Sequence, residues 1–185
     1  MRSPALILAG IIVFATVSAR SKAPPILSVG TAIALASNVF EGTWREDQVV
    51  VSRRDGRVVT VRPEASLYVV SSTHYAMMAT FGVPPRPLFQ DFTPTDAERI
   101  VAFNTFWGHT GRYDVEGNTI TLHPTVAKSP NLMAGGRMTL GARASGDTLW
   151  LTGDFNNYVF RVRGHLVPDT FEPWSREVIR LVRIR

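Results

Sequence analysis

His74-Tyr75 and Trp107-Gly108-His109 are where this chain places side chains able to do chemistry. A histidine titrates near neutral pH, and a tyrosine both donates and accepts hydrogen bonds. The first pair can therefore anchor a polar head group or move a proton. By two-residue alternation along a strand, Trp107 and His109 share a face with Tyr113 and Val115. Pointed inward, that face offers a ligand an aromatic ring and an imidazole. Met77, with Met78 and Met133, adds soft surface that adapts to varied apolar shapes. Arg86 and Lys128 stand in proline-containing loops, where two cations would attract a carboxylate or phosphate head group. Each residue also has a plainer use: a turn-stabilising histidine, a filled core, ordinary surface charge.

Other chemistries lack their residues. The chain has no cysteine, so disulfides, thiolate nucleophiles and thiolate metal sites are excluded. His123 and His165 complete a set of four histidines without the close spacing of a dedicated metal site. No glycine-rich phosphate loop and no Gly-x-Ser-x-Gly elbow is present. Carboxylates are few and fall mostly in turns, against paired-carboxylate hydrolysis. The expectation is a non-catalytic binding protein without cofactor or metal. The alternative is a cofactor-independent isomerase or cyclase using His74, Tyr75 and His109 as acid–base groups.

The first residues read as an export leader. Arg2 precedes an uncharged apolar run, Ala5 to Val17, and Val17-Ser18-Ala19 resembles a cleavage site. A second uncharged run, Ala23 to Phe40, contains Ala34-Leu35-Ala36. Neither run reaches the ~20 residues that span a bilayer. We expect a leader over residues 1–36, one domain over 37–185, and a periplasmic or secreted protein. A chain anchored to the membrane by an uncleaved leader is the alternative. Without Arg2, Arg20 and Lys22, the formal charge of +5 becomes 17 basic against 15 acidic residues. The basic residues are scattered, and nucleic-acid binding needs a basic stripe.

The domain alternates strand signals with turns. Asp55-Gly56, Ser71-Ser72-Thr73, Glu116-Gly117-Asn118, Ser145-Gly146-Asp147 and Asn156-Asn157 separate runs of β-forming residues. About ten strands result, mostly in sequential hairpins: 44–52, 57–61, 66–70, 74–80, 106–115, 119–123, 137–144, 148–153, 158–164 and 176–185. A single antiparallel up-and-down β-barrel fits, because closure removes exposed edges. One short helix is expected over Pro94–Phe103, where Thr95 and Glu98 form a capping box. It would either cross a barrel mouth or merely connect. Pro84, Pro85 and Pro87 make the preceding segment a loop.

Two features carry a resemblance. Phe40-Glu41-Gly42-Thr43-Trp44 opens the strand-rich region and a basic strand, Arg176 to Arg185, closes it. Lipocalins begin their barrels this way, with the tryptophan plugging one end beneath an arginine of the last strand. We assign that arginine to Arg180, which shares a face with Val178, Val182 and Ile184. Arg183, on the face of Ile179 and Leu181, is the fallback. The order of Leu67-Tyr68, His74-Tyr75, Pro85-Arg86-Pro87, Gly111-Arg112-Tyr113-Asp114-Val115, Asn118-Thr119-Ile120-Thr121, Val126 to Met133 and Asp147 to Leu151 resembles the bacterial lipocalin-like domain family. The resemblance implies a lipocalin-like barrel and little about chemistry. The expected partner is a small, largely apolar molecule, in its sharpest form an anionic amphiphile. Its body would lie beside Tyr75, Met77, Trp107, His109 and Tyr113, its head group near His74, Arg86 and Lys128.

Overall fold

The first wall strand, β1 (Gly42–Arg53), changes phase halfway along its length. Trp44 and Glu46 point inward on even numbers, then Val49 and Val51 on odd ones. A bulge at Asp47 makes the switch, as the register against the last strand skips between Glu46 and Gln48. The computed structural model describes residues 38–81, 85–169 and 173–185. Every expectation about the export leader, its cleavage and its anchoring lies outside the described residues.

Eight antiparallel walls close on themselves. β2 (Val58–Val61) pairs with the second half of β1, and β3 (Ser66–Val70) with its start, both on the edge opposite the last strand. They are one wall broken by Arg62-Pro63-Glu64-Ala65, where Pro63 has no N–H to give a ladder. From β3 the walls run in order through β4 (His74–Thr80), β5 (Phe106–Glu116), β6 (Thr119–Ala127), β7 (Arg137–Ser145) and β8 (Thr148–Val162). The far edge of β8 is covered by a second broken wall. β9 (His165–Pro168) pairs with its end, and β10 (Trp174–Arg183) with its beginning. Because β10 also pairs with β1, the ring is shut. The fold is a closed, antiparallel, lipocalin-like barrel. Its ten strands make eight walls, a number whose interior is just wide enough to be filled by side chains or to hold one small ligand.

Two strand assignments differ from the sequence expectation. The expected strands 148–153 and 158–164 are not separate: one 15-residue β8 runs through both to Val162, and Arg163-Gly164 turn into β9. Asn156-Asn157 makes a large bulge instead of a turn: Met138 pairs with Tyr158 while Leu140 pairs with Gly153, so four residues of β8 stand against one of β7, an excess of three. Asp154 supports them by accepting from the Asn156 N–H at 2.8 Å. The tenth strand is supplied by β9, whose exposed residues carry no core pattern to announce it.

The helix α1 (Asp96–Asn104) forms behind its capping box, with Thr95 and Glu98 exchanging hydrogen bonds. None of its residues is buried, and Ile100 and Phe103 face outward. It acts as a connector. A four-residue turn, α2 (Pro130–Met133), is additional, and it buries Leu132 completely.

The core lies at one end of the barrel. Leu122, Leu149, Leu151 and Leu181 are essentially inaccessible there, beside Trp44. Burying each leucine stabilises the fold by roughly 1.5–3 kcal/mol relative to exposure. The Trp44 indole is 0% exposed, and its Nε1–H donates to the Phe40 carbonyl at 2.9 Å. The arginine over its ring is Arg183, with Cζ 4.1 Å from the ring centroid. The assignment to Arg180 is therefore corrected. Ile179 and Leu181 form the inward face of β10, which turns Arg180 outward onto Asp47 in the bulge. Gly42 explains the Gly-x-Trp spacing: its φ is +142°, and a Cβ there would lie 2.2 Å from an Arg183 guanidinium nitrogen.

Candidate ligand cavity

Beyond the leucine-rich floor the barrel is hollow. A cavity of about 420 Å³ lies between Tyr68, Leu140 and Leu151 at its depth and Phe81, Trp107, Phe155 and Trp174 at its wider end. The deep residues are buried and the outer ones half-buried, so the cavity opens at the end opposite Trp44. Walls from β1, β3, β4, β5, β6, β7, β8 and β10 all contribute side chains. Most are apolar, as expected where successive residues of each strand alternate between core and surface.

Three carboxylates interrupt this lining, Asp169 and, each bonded to a tyrosine hydroxyl, Glu46 and Glu177. Glu46 is only 5% exposed. Tyr68 donates its hydroxyl to Oε1, while Oε2 is buried without a partner. Desolvation pushes the carboxyl up to about 7, with the nearby Glu177 adding to the rise and the Tyr68 hydrogen bond opposing it. Glu177 enters from β10 and accepts from the Tyr158 hydroxyl at 2.5 Å. Burial raises its carboxyl too. The Asn156-Asn157 bulge and a glycine place that tyrosine. Tyr158 resumes the inward phase after the bulge, and its hydroxyl lies where a Cβ on Gly153 would be, 1.8 Å away.

A further polar feature is His109 on β5. Its Nδ1 lies 3.0 Å from the Tyr75 hydroxyl, and the Tyr75 and Trp107 rings pack edge-on against it at 5.3 and 5.6 Å. Burial pulls the imidazole down to about 4, so it is neutral at pH 7. Tyr75 is raised by the same desolvation.

The residues singled out from the sequence separate into groups. Met77, Trp107 and His109 line the cavity together, and Tyr75 stands behind His109 as its partner. Tyr113 faces the interior at the closed end, where it accepts from Asn38 and donates to the Ser71 carbonyl. His74 does not join them. It starts β4 on the outward phase, exposed, with Nδ1 2.8 Å from the Thr73 hydroxyl. Arg86 and Lys128 do not line the cavity either. Arg86 donates to the Ala102 carbonyl of α1 at 2.8 Å, and Lys128 donates to the Phe106 carbonyl and stacks on Phe103. Among the described residues, the cavity lining contains Glu46, Glu177 and Asp169 but no lysine or arginine.

The interior carboxylates were legible only in part. Glu46 stands two residues after Trp44 and so shares its face; Glu177 stands two before Ile179. Choosing the Arg180 face as inward hid Glu177. Among the described residues no cluster of three metal-ligating side chains occurs, and no helix is long and apolar enough to cross a membrane.

No family model matches the chain, and no curated protein matches it. Among solved structures, it is similar to a lipocalin-like protein from Bacteroides uniformis ATCC 8492. The identity is 13%, the match covers 80% of this chain and 100% of that one, and the TM-score is 0.39. The likeness is distant and carries no inference about chemistry. What defines the class here is the closed ring of eight antiparallel walls around a cavity: a lipocalin-like barrel.

Proposed function

We propose that the barrel binds a small, largely apolar molecule in its interior and does not transform it. The observation that carries this reading is the cavity of about 420 Å³ with mainly apolar walls and few polar groups. Small-molecule sites have this volume and this balance of surface. An anionic amphiphile is not the ligand this interior favours. The two cations expected to receive its head group are engaged at α1 and β5, and the acidic groups lining the interior are carboxylates with no lysine or arginine beside them among the described residues. A buried anion beside them would lack a partner, at a cost of several kcal/mol.

The test is native mass spectrometry of the protein purified from its own host, joined to fluorescence titration of the apo protein. A co-purifying molecule of one per chain is expected. Trp107 and Trp174 both line the cavity, so ligand-induced emission changes should shrink in Trp107→Phe and vanish in the double Phe variant. Undiminished changes in the double variant would place binding elsewhere.

A catalytic reading survives in altered form. His74 points outward and does not line the cavity, but Glu46, raised to about 7 with one oxygen unpartnered in an apolar cavity, has the character of a general base. Turnover abolished by Glu46→Gln with ligand binding retained would favour an isomerase or cyclase over a carrier.

We also propose export to the periplasm or beyond, from Arg2, the apolar runs and Ala34-Leu35-Ala36. N-terminal sequencing of the protein recovered from the envelope should begin near Ser37; an intact Met1 would favour the membrane-anchored alternative.

A further inference from the structure

We propose that the deep end of the cavity recognises an amine: a ligand with a compact apolar body and one primary ammonium group, seated against Glu46 and Glu177. This rests on the interior-binding reading and specifies its chemistry. The cavity brings together two carboxylates, each held on one oxygen by a tyrosine hydroxyl. Glu46 Oε2, on a residue 95% buried, has no donor from the protein. A buried acceptor left unpaired is costly, and leaving it so is unusual in a folded protein. A bound donor would complete the set. An ammonium offers three N–H donors and no acceptor. It also supplies the opposite charge that two neighbouring carboxylates otherwise lack, since no lysine or arginine lines the cavity among the described residues.

The titratable groups around Glu46 include no lysine or arginine among the described residues, and Asp169 lines the same cavity after β9. Tyr68 faces Glu46 from β3, Glu177 from β10 and Tyr158 from β8, while neutral His109 borders the same cavity from β5. None of these is a cation at neutral pH. An ammonium binds the ionised carboxylate, so its affinity should weaken as pH falls below about 7 and Glu46 takes up a proton. A carboxylate ligand would behave oppositely. Tyr68 and Tyr158 hold the carboxyl groups in place, so the ammonium meets preorganised acceptors.

The experiment compares octylamine, octan-1-ol and octanoate by calorimetry and native mass spectrometry on the wild type, Glu46→Gln and Glu177→Gln. Melting temperatures verify that the variants fold. The expected result is one octylamine per chain, bound at least about tenfold more tightly than octanoate at pH 8. That preference should shrink at pH 5.5, and the octylamine affinity of either variant should fall to that of octanol. Octanoate binding as tightly as octylamine, or octylamine affinity unchanged in both variants, overturns amine recognition while leaving an interior binding site. Failure of all three probes to bind overturns amine recognition and the interior-binding reading together. The pH dependence on the wild type decides the matter should either variant fail to fold.

Discussion

Glu46 is the residue whose protonation should be felt by the whole barrel. Its carboxyl is raised from 4.5 to about 7, so its stabilising share is fully present below pH 4.5 and is lost as pH rises through about 7. The shift corresponds to roughly 3 kcal/mol. His109 works the other way. Lowered from 6.5 to about 4, it contributes stability above pH 6.5 that is lost as pH falls through about 4. The two offset each other in mildly acid solution. Glu46→Gln removes one side, so urea denaturation should find it more stable than wild type at pH 8, by up to about 3 kcal/mol, and equal to it at pH 4.5. Equal midpoints at pH 8 would show that Glu46 is not a desolvated carboxylate. At the other end of the barrel, Arg183 and Arg180 separate by direction alone. Arg183 lies over a desolvated ring and donates to the Glu41 carbonyl at 2.9 Å. Arg183→Ala should cost about 2 kcal/mol, whereas Arg180→Ala, losing a partly exposed ion pair with Asp47, should cost under about 1 kcal/mol. Equal losses would leave the closure without its arginine.

Among the elements, the barrel's shape depends on where strands break phase. β5 and β6 slip register between Thr110 and Gly111, and Pro124 sits opposite Gly111 at that slip. A proline inside a ladder is tolerated at a bulge, and a glycine lets the two backbones approach. A Cβ on Gly111 would lie 2.1 Å from the His123 carbonyl oxygen, a backbone atom that cannot rotate away. Gly111→Ala should therefore destabilise the barrel by roughly 1–3 kcal/mol. The contrast is Gly117, where the chain turns with nothing nearby to meet a side chain; its φ of +57° still makes a β-branched replacement unfavourable. A Gly111→Ala variant that melts with wild type would mean that β5 and β6 do not meet in this register. The large bulge in β8 serves the site more directly, because it returns Tyr158 to the inward face beside Gly153 and Glu177.

For the whole molecule, the cavity and the core divide the barrel between them. The Trp44 end is filled, and the Trp107 end is open to occupancy. A ligand that binds only the folded state raises stability by mass action, about 2.7 kcal/mol at a hundredfold excess over its Kd. Melting temperature should therefore rise with the concentration of any true interior ligand. The rise should be lost when the cavity is filled by a larger side chain, for instance in Val49→Phe, whose residue lines it. An unchanged ligand-dependent rise in that variant would point to a surface site.

Some of this was determined by local pattern. Turn residues at Asp55-Gly56, Glu116-Gly117 and Ser145-Gly146 set hairpins, and Thr95 and Glu98 set α1, because each depends only on near neighbours; Gly42-Thr43-Trp44 marked the plugged end through its resemblance to lipocalins. Trp107 and His109 could be placed on one wall by alternation, with Met77 on the neighbouring hairpin. Tertiary structure decided the rest, wherever phase depends on a distant partner. A single bulge at Asp47 moves every later residue of β1 to the other face, and no local signal says that it is there. The inward face of β10 could be Arg180's or Arg183's, since both carry apolar residues, and only pairing with β1 and β8 selects one. Asn156-Asn157 looks like a turn in one dimension and becomes a bulge when β7 and β9 hold both ends of β8 in the ladder. The two interior carboxylates follow from those choices, and charged residues on strands are read as surface until the fold turns them inward.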